Sequence, residues 1–268
     1  MDVESVWIPA TEPFDGESLL GFLEARAVVG LEEVKGGSYR RNVSSNNAGG
    51  AVRVRPEAAG VRVELDLEHG GDAGEALARV RRLFALDSDP RPATDLLGSD
   101  PLLGPLVRER PGLRVPGAFD GFELAVRAVV GQQVSVAGAR TVLGRLARAH
   151  GGFDPEVLAE ADPSAFPFPR ARGSALVEVA RLVATGELRL DPDADAAELR
   201  ARLLAVRGIG PWTVSYIAMR ALGDRDVFLD GDVGVCRALA ALGGTADPDR
   251  WRPWRSYAVM HLWRSLGT

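Results

Sequence analysis

Residues 207–212 read Arg-Gly-Ile-Gly-Pro-Trp and lie between two apolar runs with helical spacing, ELRARLLAV and TVSYIAMRAL. Glycine tolerates positive φ and close backbone approach, and proline suits the first position of a helix, where its missing N–H is no loss. Such a turn presents backbone amides at a helix N-terminus, and those amides bind an anion such as phosphate. The same residues also suit a plain helix-to-helix connection, the commoner meaning of an isolated Gly-x-Gly. Trp212 and Tyr216 stand four residues apart, hence on one helical face, where aromatic rings most often serve as core. Asp232 precedes an apolar helical run from Val233, the position of a helix cap, with Asp230 as a nearby second acid.

Other chemistries are excluded by what the chain lacks. It has a single cysteine, Cys236, which reads as a buried apolar residue. One cysteine rules out an intramolecular disulfide, a cysteine-rich zinc site and an iron-sulfur cluster held by four cysteines. The three histidines, His69, His150 and His261, fall outside any HExxH spacing and argue against a protein metal cage. Lys35 is the only lysine, so a Schiff base on an internal lysine could form at that position alone.

Composition is that of an ordinary globular protein of 268 residues, 46% hydrophobic and 26% charged, large enough for two or three domains. No apolar run reaches the roughly 18 residues of a membrane span, and the acidic N-terminus lacks a signal peptide's pattern, so a cytoplasmic protein is expected. The net charge of −5 argues against indiscriminate nucleic-acid binding. Two basic zones remain, Arg108, Arg110, Arg114, Arg127, Arg140, Arg145 and Arg148, and then Arg250, Arg252, Arg255 and Arg264. They could be solvated helix faces or could meet phosphates locally.

The elements that must carry these residues fall into two textures. Residues 1–87 mix an amphipathic helix (SLLGFLEARAVV), an alternating hairpin (GGAVRVRPEAAGVRVELDLE) and a second helix (DAGEALARVRRLFAL), which suggests an α+β domain, an antiparallel sheet with helices on one face. After the proline- and aspartate-rich DSDPRPATDLLGSDP the pattern is helical, with segments at 119–130, 134–149, 173–185, 196–206, 211–222, 233–242 and 250–266. The expected division is 1–87 as the N-terminal domain and 88–117 as a linker and start of a helical lobe that packs with 232–268. Residues 118–231 then form the lobe with the hairpin, and 232–268 the C-terminal helices.

Four stretches in order, LLGFLEARAV (19–28), RPGLRVPGAFDGFELAVRAVVGQQVSVAGA (110–139), VRGIGPWTVSYIAMRALGDRDVFLDGD (206–232) and WRPWRSYAVMHLW (251–263), resemble the helix-hairpin-helix DNA glycosylases, and more narrowly 3-methyladenine DNA glycosylase II of the AlkA type. The resemblance spans nearly the whole chain. It implies an all-α helix-hairpin-helix region of two lobes after the N-terminal sheet, and hydrolysis of the N-glycosidic bond of alkylated bases in double-stranded DNA.

The resemblance places the catalytic aspartate on Asp232, where a fixed carboxylate would stabilise the oxocarbenium-like sugar as the base departs. It places Phe22, Trp212, Tyr216 and Trp263 around a base flipped out of the duplex, whose positive charge when alkylated suits electron-rich rings. Arg26 would contact DNA or buttress Asp232, unless it forms a surface ion pair. Gln133 occupies the wedge position that fills the gap in the stack, where leucine is familiar, and Gln132 would hold that loop. Val233 replaces an aromatic that can follow the aspartate. Amides of Gly208 and Gly210 would face phosphate, and the hairpin carbonyls of Leu204, Val206 and Ile209 could hold a structural sodium or potassium ion. Trp212 stands where bifunctional relatives keep a nucleophilic lysine, so the resemblance implies a monofunctional enzyme that needs no cofactor and acts as a monomer. The competing expectation is a noncatalytic hairpin protein that binds damaged or abasic DNA.

Overall fold

The computed structural model describes residues 4–43, 49–68, 72–243 and 246–267, which leaves His69 outside the described residues. Strand β1 (Glu4–Pro9) leads into helix α1 (Gly16–Arg26), followed by β2 (Glu32–Lys35), β3 (Ser38–Asn42), β4 (Gly50–Glu57) and β5 (Gly60–Leu67). The strands form one antiparallel sheet in the order β1-β5-β4-β3-β2. Alternation decides its faces. Val52 and Val54 of β4 pair with Leu65 and Val63 of β5, and all four are buried, whereas their strand neighbours Arg53, Arg55 and Arg62 are exposed. The apolar face packs with Leu19, Phe22 and Leu23 of α1 and with Val80 and Leu83 of α2 (Ala73–Leu83) in one core. This is the expected α+β arrangement.

Residues after 88, whose prolines and acids read as a linker, begin with two short helices, α3 (Arg91–Gly98) and α4 (Gly104–Glu109). Each carries a proline in its first turn, where the missing N–H breaks no helical bond, so the prolines start these helices instead of interrupting them. The chain continues through α5 (Gly121–Val130), α6 (Val136–His150), α7 (Pro155–Ala159), α8 (Arg170–Ala184), α9 (Ala196–Ala205), α10 (Pro211–Ala221), α11 (Val233–Ala241) and α12 (Arg255–Ser265). The apolar run expected as one helix over 250–266 is split. A 3-10 turn covers Pro248–Trp251, and Pro253 separates it from α12.

Two hydrophobic cores result. One runs from the sheet through α3 and α4 to α11 and α12, and the other joins α5, α6, α8, α9 and α10. Tyr216 packs against both.

The arginine zones serve this architecture more than the surface. Arg114 is fully buried and donates to carbonyls of Thr11, Pro13, Ala85 and Ser88, which ties the N-terminal segment to the chain after α2. Arg127 of α5 bonds Glu32, Glu123 and the Arg26 carbonyl, and Arg140 of α6 donates to the Ala27 carbonyl. Arg252 and Arg255 pair with Asp226. Arg145, Arg148 and Arg250 stay exposed.

Among the described residues no helix is long and apolar enough to cross a membrane.

Candidate active site

A cleft of about 990 Å³ is lined by Arg26, the 131–136 loop, the hairpin glycines, α10 and the start of α11. The local sequence explains each wall. Asp15 caps α1 by accepting from the Ser18 amide at 3.0 Å, and the helix then sets Phe22 and Arg26 on one face, four residues apart. The Arg26 guanidinium lies 3.8 Å from the Phe22 ring centre and 5.7 Å from the Trp263 ring. Burial lowers its pKa to about 10, against the pull of Tyr216 and Asp232, so it stays a cation at neutral pH. In place of the surface ion pair weighed from sequence, Arg26 has an aromatic setting.

The hairpin turn is made by its glycines in different ways. Gly208 has φ +96°, a left-handed conformation that suits glycine, whereas Gly210 is extended (φ −101°, ψ 172°) and forms the N-cap of α10 with Pro211 next. Val206 and Ile209 are buried and anchor the turn, while Leu204 is exposed. Gln132 reaches across from the loop before α6, donating to the Gly208 carbonyl at 3.1 Å and the Thr213 hydroxyl at 2.9 Å. Its neighbour Gln133 is exposed and left-handed (φ +58°), an unfavourable backbone for a residue with a Cβ. Beyond it Ser135 caps α6 through the Gly138 amide. The loop is thus pinned on both sides of one projecting glutamine.

Along α10, Trp212, Tyr216 and Arg220 recur every four residues. The Trp212 and Tyr216 rings stack at 5.3 Å with 8° between planes. Tyr216 and Phe22 each lie about 6.3 Å from the Trp263 ring of α12. After α10 the chain returns through Val227 and Leu229, both buried, with Ser256 bonding the Val227 amide and the Asp224 carbonyl. This fastening delivers Asp232 to the start of α11.

Asp232 caps α11 and also faces the cleft. One carboxylate oxygen accepts from the Val235 amide at 2.8 Å and from the Trp263 indole N–H at 2.8 Å, and the other from the Trp212 indole N–H at 3.1 Å. The capping and site readings therefore hold together: the cap fixes the carboxylate, and two rings from different helices orient it. Asp230 is exposed, outside the cleft lining. Val233 is 70% exposed on the rim, so the position leaves one side of the cleft open.

The site brings Arg26, Gln132, Gln133, Gly208, Gly210, Trp212, Tyr216, Asp232 and Trp263 around one cleft, with Phe22 behind Arg26 and Trp263. Two neighbours escaped the sequence reading. Arg220 is buried beneath the rings, and Arg237 of α11 lines the cleft. The periodicity of Trp212, Tyr216 and Arg220 was the available signal for the first. Cys236, expected to be buried, is exposed instead. Val235 and Ala238 form the inward stripe of α11, and Cys236 lies off it.

This geometry has counterparts. Residues 6–120 match the family model "AlkA N-terminal domain". The DNA-3-methyladenine glycosylase 2 of Escherichia coli is 35% identical over 280 residues, covering 97% of this chain and 96% of that protein. The chain belongs to the DNA-3-methyladenine glycosylase 2 family. Another member of this similarity group, the "Probable bifunctional transcriptional activator/DNA repair enzyme AlkA" of Mycobacterium tuberculosis, is 41% identical over 98% of this chain. The chain spans 57% of that relative's length. A solved 3-methyladenine DNA-glycosylase from Archaeoglobus fulgidus superposes with a TM-score of 0.79 over 97% of both chains, at 20% identity, so the fold of this DNA-3-methyladenine glycosylase 2 family member is shared.

Proposed function

We propose that this chain is a monofunctional DNA glycosylase that hydrolyses the N-glycosidic bond of alkylated bases such as 3-methyladenine in duplex DNA, as the first step of base excision repair. The observation that carries the reading is the Asp232 carboxylate, held by two indole N–H groups and one amide on the wall of an aromatic cleft. The Escherichia coli relative, named for 3-methyladenine, supports the substrate class.

In this reading the amides of Gly208 and Gly210 and the side chain of Arg237 meet phosphates, while Gln133 enters the stack in place of the flipped base. The base rests among Trp212, Tyr216 and Trp263, and electron-rich ring faces favour a cationic alkylated purine. As the C1′–N bond lengthens, positive charge grows on the deoxyribose, and Asp232 stabilises it without reorganising because its donors already fix it. Water adds to C1′, its proton passes to solvent or to Asp232, and the base leaves with the bonding electron pair. The product is an abasic site with an intact backbone. A lyase step would need an amine nucleophile, and Trp212 occupies the hairpin position where one would serve, while Lys35 lies on edge strand β2.

The carbonyls of Leu204, Val206 and Ile209 would hold a sodium or potassium ion when DNA is bound. The last turn of α9 leaves carbonyls without helical partners, and the Val206 carbonyl, which accepts from the Ile209 amide at 3.0 Å, keeps a second lone pair. Such an ion would order the turn against phosphate and take no part in bond cleavage. A single copy provides the whole cleft, so the reading requires only a monomer.

The test is release of 3-methyladenine from methylated duplex DNA, with strand integrity followed in parallel. Release with unbroken strands is expected. Tight, salt-dependent binding of abasic or damaged DNA without release of any base would instead make the chain a noncatalytic hairpin binder.

A further inference from the structure

Beneath the rings of the cleft lies a second compartment of about 50 Å³, bordered by Phe22, Arg26, Arg41, Glu123, Tyr216 and Arg220. The Glu123 carboxylate is spoken for by Arg41 and Arg127. Arg220 is different. It is 5% exposed, and its hydrogen-bond partners are neutral oxygens: the Pro116 and Gly117 carbonyls and, at 3.0 Å, the Tyr216 phenol. Its guanidinium lies 4.7 Å from the Phe22 ring centre and 5.8 Å from that of Tyr216.

A guanidinium donates and never accepts, so the Tyr216 oxygen must be the acceptor in its bond to Arg220. A phenol whose oxygen already accepts from a cation has its own O–H left to give. Among the described residues that O–H finds no protein acceptor, and Tyr216 borders the cleft as well as the lower compartment. Charge-assisted bonds are the stronger kind, and accepting one polarises the O–H for donation.

Resting on the glycosylase reading above, we propose that Arg220 is a positioning residue that makes Tyr216 an obligate hydrogen-bond donor to the flipped base, so that Tyr216 selects bases presenting an acceptor, a carbonyl oxygen or an unprotonated ring nitrogen, on the edge that meets it. The ring contributes stacking to any base. The oriented hydroxyl adds discrimination between bases of the same shape, because an acceptor removed from the base leaves the O–H, covered by the bound base, without a partner.

The test measures competition for binding by duplexes that carry hypoxanthine, purine, 3-deazahypoxanthine or 7-deazahypoxanthine, a set in which acceptors are deleted from a nearly constant shape. Wild type is expected to lose about tenfold in affinity on one of these deletions, equivalent to about 1.4 kcal/mol. Tyr216→Phe should bring that ratio close to one. Arg220→Lys, which can still donate to the phenol, should keep most of it, and Arg220→Met should lose it even where circular dichroism and thermal unfolding match wild type. Wild-type ratios near one throughout the set, or an unchanged ratio in Tyr216→Phe, would overturn the proposal. Because the readout is binding, it stays separate from the activity claim: absence of base release on every lesion would remove the glycosylase reading and leave the donor measurement standing.

Discussion

The Trp263 indole nitrogen donates to Asp232 at 2.8 Å, joining the last helix to the cap of α11 across 31 residues of chain. Trp212 bonds the second carboxylate oxygen from the hairpin side. Both tryptophans therefore serve as ring walls and as orienting donors. Trp263→Phe keeps a ring and deletes the N–H, so the rate of base release under single-turnover conditions should fall about tenfold or more, with a smaller change in DNA affinity. A fall in affinity alone, with the rate unchanged, would mean that the indole acts only as a wall.

Gln133 has a left-handed backbone that costs a residue with a Cβ about 1–2 kcal/mol. Gln133→Gly should thus leave the protein at least as stable as wild type in thermal unfolding, since glycine adopts that conformation freely. It should nevertheless slow release from duplex DNA while sparing release from single strands, where no gap needs filling. Equal slowing on both substrates would remove the wedge role.

Gly208→Ala tests the hairpin in the opposite sense. The nearest atom to an added Cβ, in Ala175, lies 3.5 Å away, so space is adequate and the cost comes from φ +96°. A loss of about 1–2 kcal/mol in unfolding free energy is expected, together with weaker binding to undamaged DNA and a shallower salt dependence. Unchanged DNA binding in a destabilised protein would reduce the turn to a connector.

How much of this was legible before folding differs by residue. The sheet with its helices follows from alternation in 49–68 and helical spacing around it, and Asp232, Trp212 and Tyr216 sit in a continuous stretch whose motif carries its own context. Spacing sets Arg220 on the face of Trp212 and Tyr216, but its burial was illegible for a physical reason. An arginine in an amphipathic helix ordinarily points to water, and only the chain's return at Pro116 and Gly117 supplies the carbonyls that permit its burial. The arginine zones misled likewise, because partners such as Glu32 for Arg127 and Asp226 for Arg255 lie far away in sequence. The proline-rich stretch after residue 87 reads as a join between domains, yet Pro92 sits in the first turn of α3, where it starts a helix.

His261 of α12 is buried, and loss of hydration lowers its pKa to about 4. Unfolded, it would titrate near 6.5, so between pH 6.5 and 4 the unfolded chain binds the extra proton and stability falls as pH falls through that window. Its contribution is about 3 kcal/mol in all. Denaturant titrations at pH 7 and pH 4.5 should show a smaller pH dependence for His261→Gln than for wild type. An identical dependence would place the acid sensitivity of that window elsewhere than His261; Glu123, whose pKa is depressed, acts only below it.

The central claim is that Asp232 stabilises the sugar cation. Asp232→Asn retains an oxygen that can cap α11 and accept from an indole, but loses the negative charge. The most direct measurement is single-turnover release of 3-methyladenine from methylated duplex DNA by wild type and Asp232→Asn, with DNA binding and thermal unfolding followed alongside. The account predicts a rate reduced at least about a hundredfold, with fold and DNA affinity retained. A variant that releases the base at the wild-type rate would contradict it.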